Sequence, residues 1–322
     1  MSRSGTASSL DRRVLISRAT RTFAIARRLP TVVVALLAGI GLCLVAPVTT
    51  ANAESFSIRP ATVAHRIVSL SPTATETLFA IGAGHQVVAA DADSNYPKNA
   101  PRTKLSGLTP SVEAVAKYRP DLVVISYDPN GFAKSLASLG IKVLYQPAAL
   151  NLDGAYAEIE ALGKATGRTV AAFKLVRTMR TEIATTVAEA PHFSSPPSFY
   201  YELDPTFYSV TSSTFVGQIL KRFGLHDIAD RAKGASGGYP QLSNEYIVKS
   251  DPRLIFLADT ICCQQSLRTV AARPGWRAIR AVHFGDVFGL NDDIASRWGP
   301  RVVILAQDVE KALWRYERQR AA

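Results

Sequence analysis

Apolar and polar positions fall into two rhythms along the chain. Residues 168–189 (RTVAAFKLVRTMRTEIATTVAE) hold no Gly and no Pro, and apolar residues recur at Val170, Phe173, Val176, Ile183 and Val187, close to helical spacing. Gly167 precedes the stretch and Pro191, Pro196 and Pro197 follow it, so both ends are punctuated. A helix of that length spans roughly 30 Å, about the width of a small domain. On either side, short apolar runs alternate with helix-like segments. The long helix is therefore either a surface helix of one domain or a strut between two α/β lobes.

The first lobe opens with RIVSLS, a buried-strand pattern over 66–71, and Pro72 then starts a helix that ends near Ile81. VVAAD over 87–91 predicts a second strand. SVEAVAKYR predicts a helix with Ser111 as N-cap, and DLVVIS a third strand. FAKSLASLG reads as a helix closed by Gly140, IKVLYQ as a fourth strand, and residues 153–164 as a helix leading to the strut. Beyond the strut the alternation restarts: strand SFYYEL, helix STFVGQILKRFG, short helix NEYIVKS, strand RLIFLA, strand VFGL and a closing helix over 301–316. Such alternation implies parallel strands joined by helical crossovers. The fold class read from it is α/β, with two Rossmann-like lobes of parallel sheet joined by one long backbone helix.

A repeat decides between domain and strut. Glu113, Lys117, Pro120 and the apolar run after them match Glu245, Lys249, Pro252 and their apolar run at the same spacing. Ser111 and Ser243 each stand two residues before the Glu. The lobes read as two copies of one plan, each with a carboxylate in the first turn of an equivalent helix, where it also complements the helix dipole. The predicted boundaries are a signal peptide at 1–53, an N-terminal lobe at 54–166, the linker helix at 167–190 and a C-terminal lobe at 191–322.

Composition changes the picture at the start of the chain. Arg12, Arg13, Arg18, Arg21, Arg27 and Arg28 precede an apolar run over 32–45 and the small-x-small triplet Ala51-Asn52-Ala53. This pattern predicts an exported protein, in the periplasm or at the outer face of the cytoplasmic membrane. Retention of the leader as an anchor, lipidation of Cys43 after the bulky Leu42, and twin-arginine export through Arg12-Arg13 remain alternatives to plain secretion and cleavage. The leader carries seven Arg and one Asp. Of the chain's 37 basic and 26 acidic residues it leaves 30 and 25, a net charge of only +5. No Lys/Arg run is interleaved with aromatics, so nucleic-acid binding is not expected. The basic run 315–320 reads as a solvated helix end. After cleavage only the adjacent Cys262 and Cys263 remain, which cannot staple distant segments, so the core must hold the fold. They read first as inert thiols, with a vicinal disulfide or contact with a metal centre in a ligand as alternatives.

In parallel α/β sheets ligands bind beyond the carboxyl ends of the strands. The residues there are Ser71, Tyr96, Gly107, Tyr127, Phe207, Tyr208, Tyr239, Asp259, Arg297 and Trp298, together the expected ligand-binding set. Aromatics dominate and charges are few, which suits a bulky, flat or partly apolar ligand. Enzyme chemistry finds little footing. No dinucleotide fingerprint, P-loop or nucleophile elbow occurs, and the five His are scattered away from these loops. No catalytic residue, bound metal or cofactor of the protein's own is expected; iron or cobalt would arrive within the ligand.

RIVSLSPTATETLFAIG, SNYP, SVEAVAKYRPDLVVIS, LASLGIKVLYQ, the strut, YPQLSNEYIVKSDPRLIFLAD and ASRWGPRVV together resemble the helical-backbone substrate-binding proteins of ABC importers, over about residues 66–317. That group includes the vitamin B12 binder and binders of ferric siderophores and haem. The resemblance implies a rigid two-lobed monomer that captures a small-molecule metal chelate and delivers it to a membrane permease dimer. It implies that Glu113 and Glu245 pair with permease arginines. Tyr96, Phe207 and Tyr239 match cleft aromatics of the B12 binder, whereas a cleft tryptophan of that binder falls near Gly107 here. Siderophore and haem binders use Tyr or Arg at loops where Tyr96, Tyr239 and Arg297 stand. Corrinoid and ferric siderophore stay open as ligands, with haem behind them. The rival reading is an exported α/β enzyme acting on a chelate in the same cleft.

Overall fold

The structure, a computed structural model, describes residues 63–321; the leader and its alternatives lie outside them. Two four-stranded sheets repeat one order. In the first, β1 (Ile67–Leu70), β2 (Val87–Ala90), β3 (Leu122–Ile125) and β4 (Lys142–Tyr145) lie as β2-β1-β3-β4. In the second, β5 (Ser198–Glu202), β6 (His226–Asp227), β7 (Leu254–Leu257) and β8 (Val287–Gly289) lie as β6-β5-β7-β8. Every pairing is parallel. The central strands β1, β3 and β7 are buried along their whole length, because helices cover both faces of a parallel sheet. Edge strand β4 exposes Lys142 and Tyr145. The α/β class and the two parallel-sheet lobes stand as the sequence implied.

The first lobe's helices are α1 (Pro72–Ala80), α2 (Val112–Ala116), α3 (Phe132–Ser138) and α4 (Leu152–Ala165), followed by the strut α5 (Thr169–Glu189). The second lobe has α6 (Phe215–Arg222), α7 (Asn244–Ser250), α8 (Leu267–Ala271), α9 (Arg280–His283), α10 (Asp292–Ala295) and α11 (Val302–Ala321). Short polar side chains start them. Ser71, Ser111, Asn151, Thr214 and Ser243 each accept a hydrogen bond from a backbone N–H of the first turn. The internal repeat extends to the backbone. Arg119 and Asp251, each just before the matched proline, adopt left-handed φ values of 48° and 45°. The proline ring disfavours a right-handed helical residue before it, so both helices end there and the chain turns into a central strand.

The strut exists, but its buried face differs from the expected one. Ala172, Val176, Met179, Ile183 and Thr186 point inward, against α4 on one side and α11 on the other. Val170 is 83% exposed and Phe173 is also exposed. Small residues let the neighbouring helices approach, so Ala172 and Thr186 took places that apolarity alone gave to Val170 and Phe173. The closing helix runs further than predicted. Its basic end is not simply solvated: Arg320 pairs with buried Asp286 at 3.0 Å and stacks on Tyr316. The two-residue β6 and the short α8, α9 and α10 gave no periodic signal.

Candidate functional site

The loops that leave the sheets' carboxyl edges meet at two places. After β8, Arg297 reaches across to the first lobe, where it donates to Glu76 Oε1 (2.7 Å), Asn95 Oδ1 (2.9 Å) and the Asp93 carbonyl (3.0 Å). It also pairs with Asp293 at 2.7 Å, and Asn95 donates to the same carboxylate at 2.8 Å. Arg301 completes a fork on Glu76, whose carboxylate is buried. At the other end, Gln218 of α6 donates to the Leu150 carbonyl at 2.9 Å. Between these anchors Trp298 Nε1 donates to Glu158 of α4 at 2.7 Å, and Gly299 packs on Thr73. Burial, partly offset by that Trp298 bond, raises the Glu158 pKa to about 7. The β2 edge thus faces the β8 edge, and β4 faces the start of α6. Buried charge pairs at the junction hold the lobes in one arrangement, because separating such a pair strands a charge in low dielectric.

Aromatics stand on the loops at these carboxyl edges. Tyr127 after β3 and Tyr239 in the loop before α7 are 51% and 54% exposed, and Tyr96 and Tyr208 are also exposed. Tyr96 precedes a cis proline, and its ring lies under Arg301, 4.4 Å from the guanidinium carbon. Phe207, at φ 70°, stacks on buried Trp276 with 5.9 Å between ring centroids. Gly107 leaves no room for a side chain. A Cβ there would stand 2.6 Å from the Leu70 carbonyl oxygen and 3.0 Å from an Asp91 carboxylate oxygen. The exposed apolar side chain on that loop is Leu108, and Leu150 and Ile261 are likewise exposed on the loops after β4 and β7. None of these three stood out in the sequence, since a lone apolar residue in a polar loop has no pattern.

Four expected ligand contacts need correction. Ser71 is buried, and its hydroxyl is spent capping α1. Arg297 is committed to the inter-lobe clamp, because four acceptors surround its guanidinium. Trp298 is half-buried with its N–H bound to Glu158. Asp259 is fully buried, and neither carboxylate oxygen has a hydrogen-bond partner. Its pKa is raised to about 7, first by burial and then by neighbouring Glu202.

Glu202 anchors the support of the second lobe. Arg273 grips it through two bonds of 2.6 and 2.7 Å, lies over the rings of Trp276 and Phe207, and donates to Gln265 at 2.8 Å. Cys262 and Cys263 form a disulfide in the loop just beyond β7, which replaces the expectation of two inert thiols. Among the described residues no group of three His, Cys, Asp or Glu is placed to hold a metal ion.

Glu113 and Glu245 are both exposed, each the second residue of its helix. A helix that feeds a parallel strand runs against it, so α2 and α7 both start at a carboxyl edge. The two carboxylates therefore occupy equivalent positions on the rims of the two lobes. The Glu113 pKa is lowered by its own backbone N–H and by a 2.8 Å bond from Ser111. A separate cavity of about 580 Å³ lies between α1, α5 and the start of α11, and of the expected ligand set only Tyr96 touches it.

Comparison with known proteins decides the kinship. The profile of the family described as periplasmic binding protein matches residues 67–294. The chain belongs to this family. An uncharacterized ABC transporter substrate-binding lipoprotein, YvrC of Bacillus subtilis, is 29% identical over 83% of this chain and 86% of its own length. A cobalamin-binding protein of Halobacterium salinarum is 32% identical over 80% of this chain and 71% of its own. Among solved structures, a possible iron-binding periplasmic solute-binding protein of Staphylococcus epidermidis has the same fold. Its TM-score is 0.69 at 24% identity, covering 79% of this chain and all of that one. This periplasmic binding protein is an extracytoplasmic substrate-binding component of the ABC-importer type, a transport protein and not an enzyme. Such proteins bind a small ligand and work with a membrane permease. Among the described residues no helix is long and apolar enough to cross a membrane.

Proposed function

We propose that the inter-lobe cleft captures a cobalamin-type corrinoid and presents it to the permease. The observation that carries the ligand class is the kinship with the Halobacterium cobalamin-binding protein. The geometry agrees with it. Tyr127, Tyr208 and Tyr239 are exposed on loops of the two lobes, and so are the apolar side chains Leu108, Leu150 and Ile261. A corrin ring is broad, largely apolar on its faces and edged with amides, so stacking and van der Waals contact outweigh ion pairing. The arginines at these edges, Arg297, Arg301 and Arg273, are already paired with Glu76, Asp293 and Glu202. An anionic siderophore or the propionates of haem would call for free cations.

Glu113 and Glu245 are assigned to the permease, one carboxylate for each of two equivalent arginine-bearing subunits. Exposed charges at a rim register and steer docking. The leader, with its basic region, apolar run and Ala51-Asn52-Ala53, supports export to the outer side of the cytoplasmic membrane. Calorimetric titration against cyanocobalamin, a ferric hydroxamate and haemin tests the ligand class. The expected result is saturable single-site binding of cyanocobalamin, tighter than that of the other two by at least about tenfold. Preference for the ferric hydroxamate or haemin would overturn it.

A further inference from the structure

The loop after β7 carries a feature that the general plan does not require. It starts at buried Asp259, passes exposed Ile261 and the Cys262–Cys263 disulfide, and ends at Gln265. Several bonds fix its place. Asp292 accepts from the backbone N–H of Ile261 (3.0 Å) and of Cys262 (2.7 Å). Thr260 Oγ1 donates to the Leu290 carbonyl at 2.6 Å. Gln265 Nε2 donates to the Cys263 carbonyl at 3.1 Å, while its Oε1 accepts from Arg273. The neighbour of Asp292 is Asp293, which holds Arg297 and Asn95 where the first lobe's edge meets the second. Arg273 in turn lies over Phe207. The disulfide loop thus sits on the carboxyl edge of the second sheet, between the inter-lobe clamp and the Phe207 stack.

We propose that this loop is a ligand-contacting element of the cleft, in which Ile261 and the Cys262–Cys263 disulfide form an apolar, polarisable ledge against the edge of the bound chelate. The proposal rests on the cleft reading above. The disulfide ties two consecutive residues into a small ring, so the loop has few conformations left to lose when ligand arrives. Ile261 at 58% exposure is an apolar side chain that the protein itself leaves uncovered. Sulfur is soft and packs well against a delocalised ring. Disulfides persist outside the cytoplasm, where this protein acts. A trialkylphosphine opens the bond. The S–S bond breaks and the phosphine supplies two electrons and becomes its oxide by taking oxygen from water. The two protons of that water complete two thiols. The loop then regains freedom that binding must remove.

The test has two parts. Mass spectrometry of the Cys262–Cys263 peptide from protein exported by cells is expected to show the disulfide form, two hydrogens lighter than the dithiol. Free thiols throughout would overturn the proposal. Affinity is then measured for cyanocobalamin, a ferric hydroxamate and haemin with the oxidised protein, the phosphine-reduced protein and the disulfide-intact Ile261→Ser variant. The melting temperature of each form is recorded as a control on folding. For whichever chelate binds, reduction and Ile261→Ser are each expected to weaken affinity about threefold to tenfold at little change in melting temperature. Equal affinity in all three forms would overturn the ledge and leave the cleft reading standing. Tighter binding after reduction, with a new absorption band at the cobalt or iron, would mean that the thiolates ligate the metal and would also overturn the ledge. No chelate bound in any form would overturn both readings.

Discussion

The two lobes share a topology down to the left-handed residue before each matched proline, yet their carboxyl edges are finished differently. The first lobe presents Tyr96, Tyr127 and Leu108 on loops above a largely apolar core. The second stands on a buried ionic cluster. Glu202 and Arg273 brace the Phe207–Trp276 stack, and Gln265 links that brace to the disulfide loop. One plan thus serves two purposes. What the lobes hold in common, the paired carboxylates Glu113 and Glu245, suits a partner with two equivalent halves. What differs between them suits a ligand without such symmetry.

The sharpest way to break this comparison is at the junction. Glu76→Ala strands Arg301 and leaves Asp293 as the carboxylate paired with Arg297, and we expect it to cost about 3–5 kcal/mol of stability. By scanning calorimetry the melting temperature should fall on the order of 10 °C. Asp153→Ala removes the exposed pair with Arg180 and should cost under about 1 kcal/mol. Equal effects from the two variants would mean that the clamp does not hold the lobes.

The strut offers the next test. Ile183→Ala on its buried face should cost about 2–4 kcal/mol, whereas Phe173→Ser on the exposed face should stay within about 0.5 kcal/mol, both by urea denaturation. Docking comes third. Charge reversal at Glu113 or Glu245 alone should reduce uptake by similar factors of about tenfold, and reversal of both should reduce it further, with ligand affinity unchanged. A loss confined to one lobe would break the equivalence.

The smallest effect concerns pH. Burial raises the pKa of Asp91 to about 6, of Glu158 and Asp259 to about 7, and of Asp227 to about 8. These groups stay protonated in the fold at pH values where the unfolded chain has released its protons. Their contribution is complete below about pH 4 and is lost as pH rises through about 6 to 8. The melting temperature should therefore be higher near about pH 5 than near about pH 8, by on the order of 5 °C. A higher value at the alkaline end would contradict those environments.

Much of this architecture could be read from one chain. Alternating short strands and helices, the capped helix starts and the Glu–Lys–Pro repeat led to two parallel sheets, since period and punctuation are local properties. The face of the strut was harder, because Ala172 and Thr186 are buried by close helix approach rather than by their own hydrophobicity. Strand ends could be read from the sequence, but not the fate of each side chain that stands there. Ser71, Asp259, Arg297 and Trp298 sit at strand ends like the tyrosines, and only the folded contacts of Glu76, Glu158 and Asp293 draw two of them inward. Long-range charge pairs across about two hundred residues leave no trace in sequence spacing.

The proposed function has exposed aromatics on both lobes grip a corrinoid. Titration of cyanocobalamin into the native protein and into a Tyr127→Ala/Tyr239→Ala variant, side by side, tests it most directly. Single-site binding to the native protein is expected, with an affinity lower by about tenfold to a hundredfold in the variant and the melting temperature of the unliganded protein unchanged. Identical affinity for the two proteins, or no binding by the native one, would contradict it.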